Sequence, residues 1–284
     1  PIVDRDDNVF GVLAGRPFDK PDGAGEVPWS EVQCRMGVIF EYLRDNLRFN
    51  KSQVEHRRGN FPAVAVGISF GGGQQRVGNL AHTPHNAAVL DAAMKSTPMR
   101  RVANFANSDM RLFAPKLHEF YGDTLNALCD KDDTLNRNFK NNVFACTTCN
   151  LGPQSVAHVH TDHLNFGPGW CAITAFGDYD PTKGGHLILW DLKIAIEFPP
   201  GSTILIPSAI LRHSNVPLAG KDERRYALIQ YSAGGLFRWV ECGHQTQKSF
   251  KASGGAFKQT GKERWARGVG LFSKWSELSA QKQQ

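Results

Sequence analysis

From Phe144 onward the chain consists of short apolar runs punctuated by Gly and Pro, and few folds accept such a text. The runs fall at 154–160, 170–176, 185–190, 193–198, 202–206, 209–213 and 225–233. Each has strand length, and closely spaced strands with such turns indicate a sandwich or jelly roll. The half before it reads differently. Ser30-Glu31-Val32-Gln33 is close to a capping box, opening a helix with Val32, Met36, Ile39, Phe40, Leu43 and Leu47 on one face. Phe61 to Phe70 reads as a buried strand, and 85–96 and 108–128 as helices, the latter kinked or restarted at Pro115. Residues 1–28 read as irregular wrapping, and Asp130 to Asn142 as a polar loop.

Within the strand-rich half, His160-Thr161-Asp162 follows Gln154-Ser155-Val156-Ala157-His158-Val159. Residues two apart on a strand share a face, so His160 and Asp162 can grip one metal ion from the same side. His158 shares that face and is the alternative to His160. A third ligand must come from elsewhere, and His213 is the candidate, at the end of the run Thr203 to Leu211. Two His and one carboxylate on one side of a metal form the facial-triad pattern of non-haem Fe(II) oxygenases. Arg225 opens the strand Arg225 to Tyr231, where a buried guanidinium can hold a dicarboxylate co-substrate by a bidentate pair. Alternation lets only one of Arg224 and Arg225 point inward, and Arg224 is the fallback. HxD on a strand, a Gly-Gly turn into another, a Pro-Gly turn, a His, then Arg on the last strand: that succession reads as a double-stranded β-helix. The expected class is α+β, mainly β, with a jelly-roll core over 144–243, an N-terminal helical and strand region over 1–143 bracing it, and a basic extension over 244–284.

The composition, 41% hydrophobic and 21% charged, is that of a soluble globular protein, and the apolar runs are far short of the roughly 20 residues of a membrane span. No signal peptide is visible, and the opening Pro1 reads as a processed or trimmed start. Six Cys are too sparse for a disulfide scaffold and suit a reducing compartment. Cys146-Thr147-Thr148-Cys149 is one CxxC without a second; a zinc site there needs two more ligands, and buried thiols are the simpler reading. Gly71-Gly72-Gly73 lacks the Lys-Ser/Thr of a phosphate-binding loop. The net charge of +6 lies in the segment from His244 onward, with eight basic residues, Lys282 the last, against two acidic, so the first 243 residues balance. A basic appendage on a neutral body suggests a polyanion partner, and a solvated tail is the alternative.

The run from Asn150 to Cys242 resembles the 2-oxoglutarate and Fe(II)-dependent dioxygenases of the TET/JBP family, most of all its fungal branch. His160-Thr161-Asp162-His163-Leu164-Asn165, Gly184 to Asp191, Pro199 to Thr203, His213-Ser214-Asn215 and Arg225 to Ala233 carry the likeness. The resemblance implies that His160, Asp162 and His213 hold Fe(II) and that Arg225 pairs with the distal carboxylate of 2-oxoglutarate, with O2 as co-substrate. It implies a duplex DNA partner with a methylated base, flipped out of the stack, met by Asn165 and stacked on Tyr231. Turn-capping for Asn165 and a core role for Tyr231 stay open. Where other members carry a His against cytosine, this chain has Ala233. The implied activity is oxidation of 5-methylcytosine to 5-hydroxymethylcytosine, and possible further steps; the alternative is N6-methyladenine demethylation by the same hydroxylation. A non-catalytic jelly-roll module that binds DNA is the rival from another class. A DNA substrate implies a nuclear site of action, and the protein is expected to be monomeric.

Overall fold

Val32, Met36, Phe40 and Leu43 are all buried on the inner face of α1 (Trp29–Asn46). In this computed structural model, which describes residues 1–19 and 27–281, the helix begins at Trp29 rather than at a Ser30 capping box. Pro28 takes the N-cap position with no side-chain cap, and the Trp29 N–H is met instead by the Asp19 carboxylate at 2.5 Å. Three more long helices are α2 (Pro84–Lys95), α3 (Thr97–Phe113) and α4 (Pro115–Lys131). Each has Pro in its first turn, where a missing N–H costs nothing, so Pro115 restarts a helix rather than bending one. Among the described residues no helix is long and apolar enough to cross a membrane.

The strands that build the site are β1 (Asn8–Gly15), β2 (Ala63–Ser69), β3 (Cys146–Asn150), β4 (Cys171–Asp178), β5 (Leu187–Leu189), β6 (Ile194–Ile196), β7 (Thr203–Ile206), β8 (His213–Asn215) and β9 (Arg224–Tyr231). The large sheet runs Ile2–Val3, β1, β7, β4, β9, β3, β2, Gly78–Asn79, antiparallel throughout. The small sheet runs β6, β5, β8, also antiparallel. Their facing sides share one core, in which Ile173, Ala175, Ala227 and Ile229 meet Leu187 and Leu189. This is a mainly β jelly roll with helices on the outer face of its large sheet. β9 shows the two-sidedness directly. Arg225, Ala227 and Ile229 face the small sheet, whereas Tyr226 and Leu228 join the core under α1. There Phe40 stacks against both Phe176 and Tyr226, at ring-centroid distances of 5.7 and 5.6 Å.

Four expectations change. Part of 1–28 is β1, an eight-residue strand inside the large sheet with Val9 and Val12 buried; residues 20–26 lie outside the described residues. The segment 154–160 is no continuous strand, because it crosses between sheets: Gln154 still bridges Arg225 in the large one, and His160 has reached His213 in the small one. Residues 209–212 form a turn, with the Ile210 and Leu211 N–H groups on the Pro207 carbonyl, so His213 begins a strand instead of ending one. The basic segment folds back on the body: Ser273–Lys274 pairs with β1, and Phe272 and Leu278 are buried. Lys282 lies outside the described residues.

On α3 the half-buried Asp109 has a carboxyl oxygen without a hydrogen-bond partner, and burial pushes its pKa up to about 7. The fold favours the protonated acid, so its contribution is full below the unfolded pKa of about 3.9 and is lost as pH rises through about 7. Asp109→Asn is expected to stabilise the protein at pH 8 by about 1–2 kcal/mol, after discounting for partial exposure, and hardly at all at pH 4. Thermal unfolding at the two pH values checks this; equal gains at both would contradict it.

Candidate metal centre and its cleft

His160 and His213 pair across the junction of the crossing segment and β8, each donating its backbone N–H to the other's carbonyl, at 3.0 and 2.9 Å. Pairing directly opposite brings the imidazole centroids to 4.3 Å. Asp162 closes the group, its two oxygens 3.7 Å from His160 Nε2 and 3.8 Å from His213 Nε2. These separations are too long for hydrogen bonds and within twice the usual metal–donor length of about 2.0–2.2 Å. Each imidazole donates from Nδ1 to a backbone carbonyl, His160 to His158 at 2.7 Å and His213 to Leu211 at 2.9 Å. A carbonyl only accepts, so Nδ1 carries the proton and the Nε2 lone pair is left for an ion. Burial, helped by the neighbouring His213, holds the His160 pKa down to about 4, so the ring is neutral, as a ligand must be. Among the described residues these three are the group able to hold a metal ion.

The other sequence candidates sort by burial. His158 is exposed and contributes its carbonyl, not its ring; His163 is exposed too. Cys146 and Cys149 are buried thiols three apart on β3, so they point to opposite faces of the strand and do not converge on one ion. The Gly71–Gly73 turn lies away from the metal ligands, next to a surface hollow lined by Gln74, Arg76 and Asp132.

Of the two arginines opening β9, Arg224 is exposed and Arg225 is 2% exposed. Arg225 Nη1 donates to the Ser155 carbonyl at 2.9 Å, Tyr179 lies beside the guanidinium, and Nε has no partner. No carboxylate among the described residues forms an ion pair with it. A buried cation without a counter-charge is costly, and burial lowers its pKa accordingly. Arg225 lines one inner chamber with His160, Asp162, His213 and Asn150, whose Oδ1 is also buried without a partner. Arg225 and Asn150, each with a buried polar atom that has no partner, thus both line the space beside the three metal-binding side chains.

Beside the chamber, sharing Asp162 and Ile229 with it, lies an outer cleft of about 480 Å³. Asn165 and Tyr231 both line it. Asn165 Nδ2 reaches Ser208 Oγ at 3.3 Å, and the Tyr231 hydroxyl accepts from Cys146 Sγ at 3.3 Å and Thr148 Oγ1 at 3.2 Å, which fixes the ring. Ala233 stands opposite Asn165 in an antiparallel bridge, 6% exposed. Sequence reasoning missed the rim on the far side, the hairpin Glu55–Asn60 with His56, Arg57 and Arg58. It clamps the metal segment: the His158 N–H donates to the Arg58 carbonyl at 2.7 Å, and Arg57 Nη1 to the Thr161 carbonyl at 3.0 Å. Gly59 permits the approach, since a Cβ there would stand 2.7 Å from the Val156 carbonyl oxygen at a φ of +154°. Arg58 borders both chamber and cleft. The run His56-Arg57-Arg58-Gly59-Asn60 was the available signal, three basic residues ahead of a turn pair.

No family model matches the chain, and no curated protein does. Among solved structures it is similar to NgTET1 in complex with 5mC DNA, at 17% identity and a TM-score of 0.49, over 80% of this chain and 77% of that one. It is also similar to an oxidoreductase of the 2OG-Fe(II) oxygenase family from Burkholderia pseudomallei, at 13% identity and TM-score 0.37, over 73% and 91% of the two chains. A Pseudomonas putida prolyl-4-hydroxylase follows at 14% and TM-score 0.36, over 72% and 87%. At such identities the likeness is one of fold.

Proposed function

We propose that this protein is an Fe(II)- and 2-oxoglutarate-dependent dioxygenase that oxidises the methyl group of a methylated base in DNA, 5-methylcytosine to 5-hydroxymethylcytosine, acting in the nucleus as a monomer. The observation that carries the reading is the pairing of three convergent metal donors with a buried, uncompensated guanidinium in the same chamber. His160, Asp162 and His213 would hold the iron, and two neutral imidazoles with one carboxylate suit a divalent ion. Arg225 would supply the counter-charge to a carboxylate of 2-oxoglutarate, which resolves the cost of burying it alone. When bound, the iron and co-substrate supply the oxidising power that a methyl C–H bond demands and no side chain possesses.

The protein's own part is placement. The backbone acceptors on both Nδ1 atoms fix the imidazole planes, and the hairpin clamp fixes the segment that carries His160 and Asp162. Arg225 orients the co-substrate from within the sheet. A base held in the outer cleft lies beside Asp162, with Tyr231 as the stacking surface, worth roughly 1–3 kcal/mol, and Asn165 as a hydrogen-bonding edge. The cationic rim at Arg57 and Arg58 suits the phosphates of a flipped nucleotide. A non-catalytic module would have no use for three donors in register or for a buried lone cation.

Ala233 favours a second reading. With no imidazole opposite Asn165, the cleft presents no ring donor to a cytosine edge there. The same hydroxylation on N6-methyladenine gives a hemiaminal that loses formaldehyde, a demethylation. Incubation with duplexes carrying each methylated base, followed by nucleoside mass spectrometry, separates them. Hydroxymethylcytosine supports the first, formaldehyde with plain adenine the second, and unchanged bases with intact 2-oxoglutarate would sink both.

A further inference from the structure

Next to the cleft the fold leaves a second groove, of about 690 Å³, that the chemistry above does not use. It lies between the loop 163–168, α5 (Gly234–Glu241) and α6 (Gly261–Val269), the helix of the basic segment. The two depressions adjoin: Leu164 and Asn165 line both, and Leu164 stands 56% exposed at the divide.

The groove is cationic. Arg238, Arg264 and Arg267 line it against one carboxylate, Glu241, which sits 3.5 Å from Arg238 and 3.8 Å from Arg267. Glu263, the acid of α6, is spent in a capping box with Thr260. Arg264 is held in place, stacked 4.8 Å from the Phe257 ring centroid and donating to the Gln259 carbonyl at 2.6 Å. Trp265, which follows Arg264 on the helix and lines the same groove, is 47% exposed, with its six-membered ring seated on Gly167, where an added Cβ would lie 3.4 Å away. A fixed guanidinium, a second one a helical turn on, and a flat apolar surface beside them match a chain of phosphates and sugars. The neutral charge of the first 243 residues makes the location significant, because the whole net +6 belongs to the segment that supplies α6.

We infer that this groove carries the DNA backbone flanking the reacting base, with Arg264 and Arg267 on phosphates and Trp265 packed on a neighbouring deoxyribose. The inference rests on the proposed DNA substrate and adds the path by which the strand leaves the cleft.

Fluorescence anisotropy of the full chain with methylated duplexes, over a range of salt, tests it. On a duplex extended past the target on both sides, Arg264→Glu/Arg267→Glu is expected to weaken binding by about 10- to 100-fold and lower the salt slope by about 2, one per lost phosphate contact. Trp265→Ala should weaken it several-fold. On a duplex ending beside the target, wild type and variants should bind alike. Unaltered Fe(II) and 2-oxoglutarate binding verifies the fold; should the double reversal unfold, Arg267→Gln, at a side chain 48% exposed, gives the same reading with a slope change of about 1. A wild type that oxidises DNA while all variants match it on the extended duplex would overturn the groove alone. A wild type that neither binds nor oxidises DNA overturns the substrate reading and the groove with it.

Discussion

Asp162→Ala is expected to abolish turnover, by on the order of 10³-fold or more, while the metal-free protein melts close to wild type. The carboxylate is the one negative charge in the donor set, and it faces both Nε2 atoms at 3.7 and 3.8 Å. Without it two neutral imidazoles remain, a poor site for a labile divalent ion. The fold has little to lose, because the Asp162 side chain is 18% exposed and its oxygens make no close hydrogen bond to those rings. His213→Ala should abolish turnover equally but destabilise the protein, since that ring is buried and anchored to the Leu211 carbonyl. Activity assays with saturating Fe(II), set beside thermal unfolding, separate the two effects. Residual turnover in Asp162→Ala within tenfold of wild type would remove the residue from the metal.

Arg225→Met should do two opposite things. In the absence of co-substrate it is expected to stabilise the protein by about 1–4 kcal/mol, because it replaces a buried cation lacking a carboxylate partner with an apolar side chain. With co-substrate it should cost 2-oxoglutarate about 10²–10⁴-fold in apparent affinity, the effect of removing one partner from a buried pair worth roughly 3–5 kcal/mol. The wild type should therefore gain thermal stability from 2-oxoglutarate where the variant gains none. Arg225→Lys keeps the charge but not the two-pronged donor, and should recover only part of the affinity. A variant less stable than wild type without ligand, with unchanged 2-oxoglutarate affinity, would show that the guanidinium is structural.

The donor set was legible from sequence because residues two apart can share a side even where, as at His160, the chain is held by a single bridge rather than a strand. On the true strand β9, alternation lets only one of Arg224 and Arg225 point inward and puts Tyr231 on the same face as Arg225. The helix α1 was legible for a similar reason, its stripe being periodic and apolar. The failures have a common physical cause: they lie where the chain passes between sheets or is held by distant partners. The segment 154–160 alternates like a strand but is paired only at its two ends. His213 follows a turn that Pro207 sets up, so the run before it is not its strand. Asn8 to Gly15 carries Gly and Asn as a loop does, yet pairing with β7 and burial of Val9 and Val12 outweigh that propensity. The rim at His56, Arg57 and Arg58 reaches the cleft through contacts about a hundred residues away in sequence, such as Arg57 to Thr161, which no local pattern encodes.

Anaerobic titration of the protein with Fe(II), followed by 2-oxoglutarate, tests the shared metal centre most directly. The expected result is one ion per chain and a charge-transfer absorption that appears with 2-oxoglutarate, disappears in Asp162→Ala and requires far more co-substrate in Arg225→Met. A wild type that takes up no Fe(II), or an absorption that survives in Asp162→Ala, would contradict it.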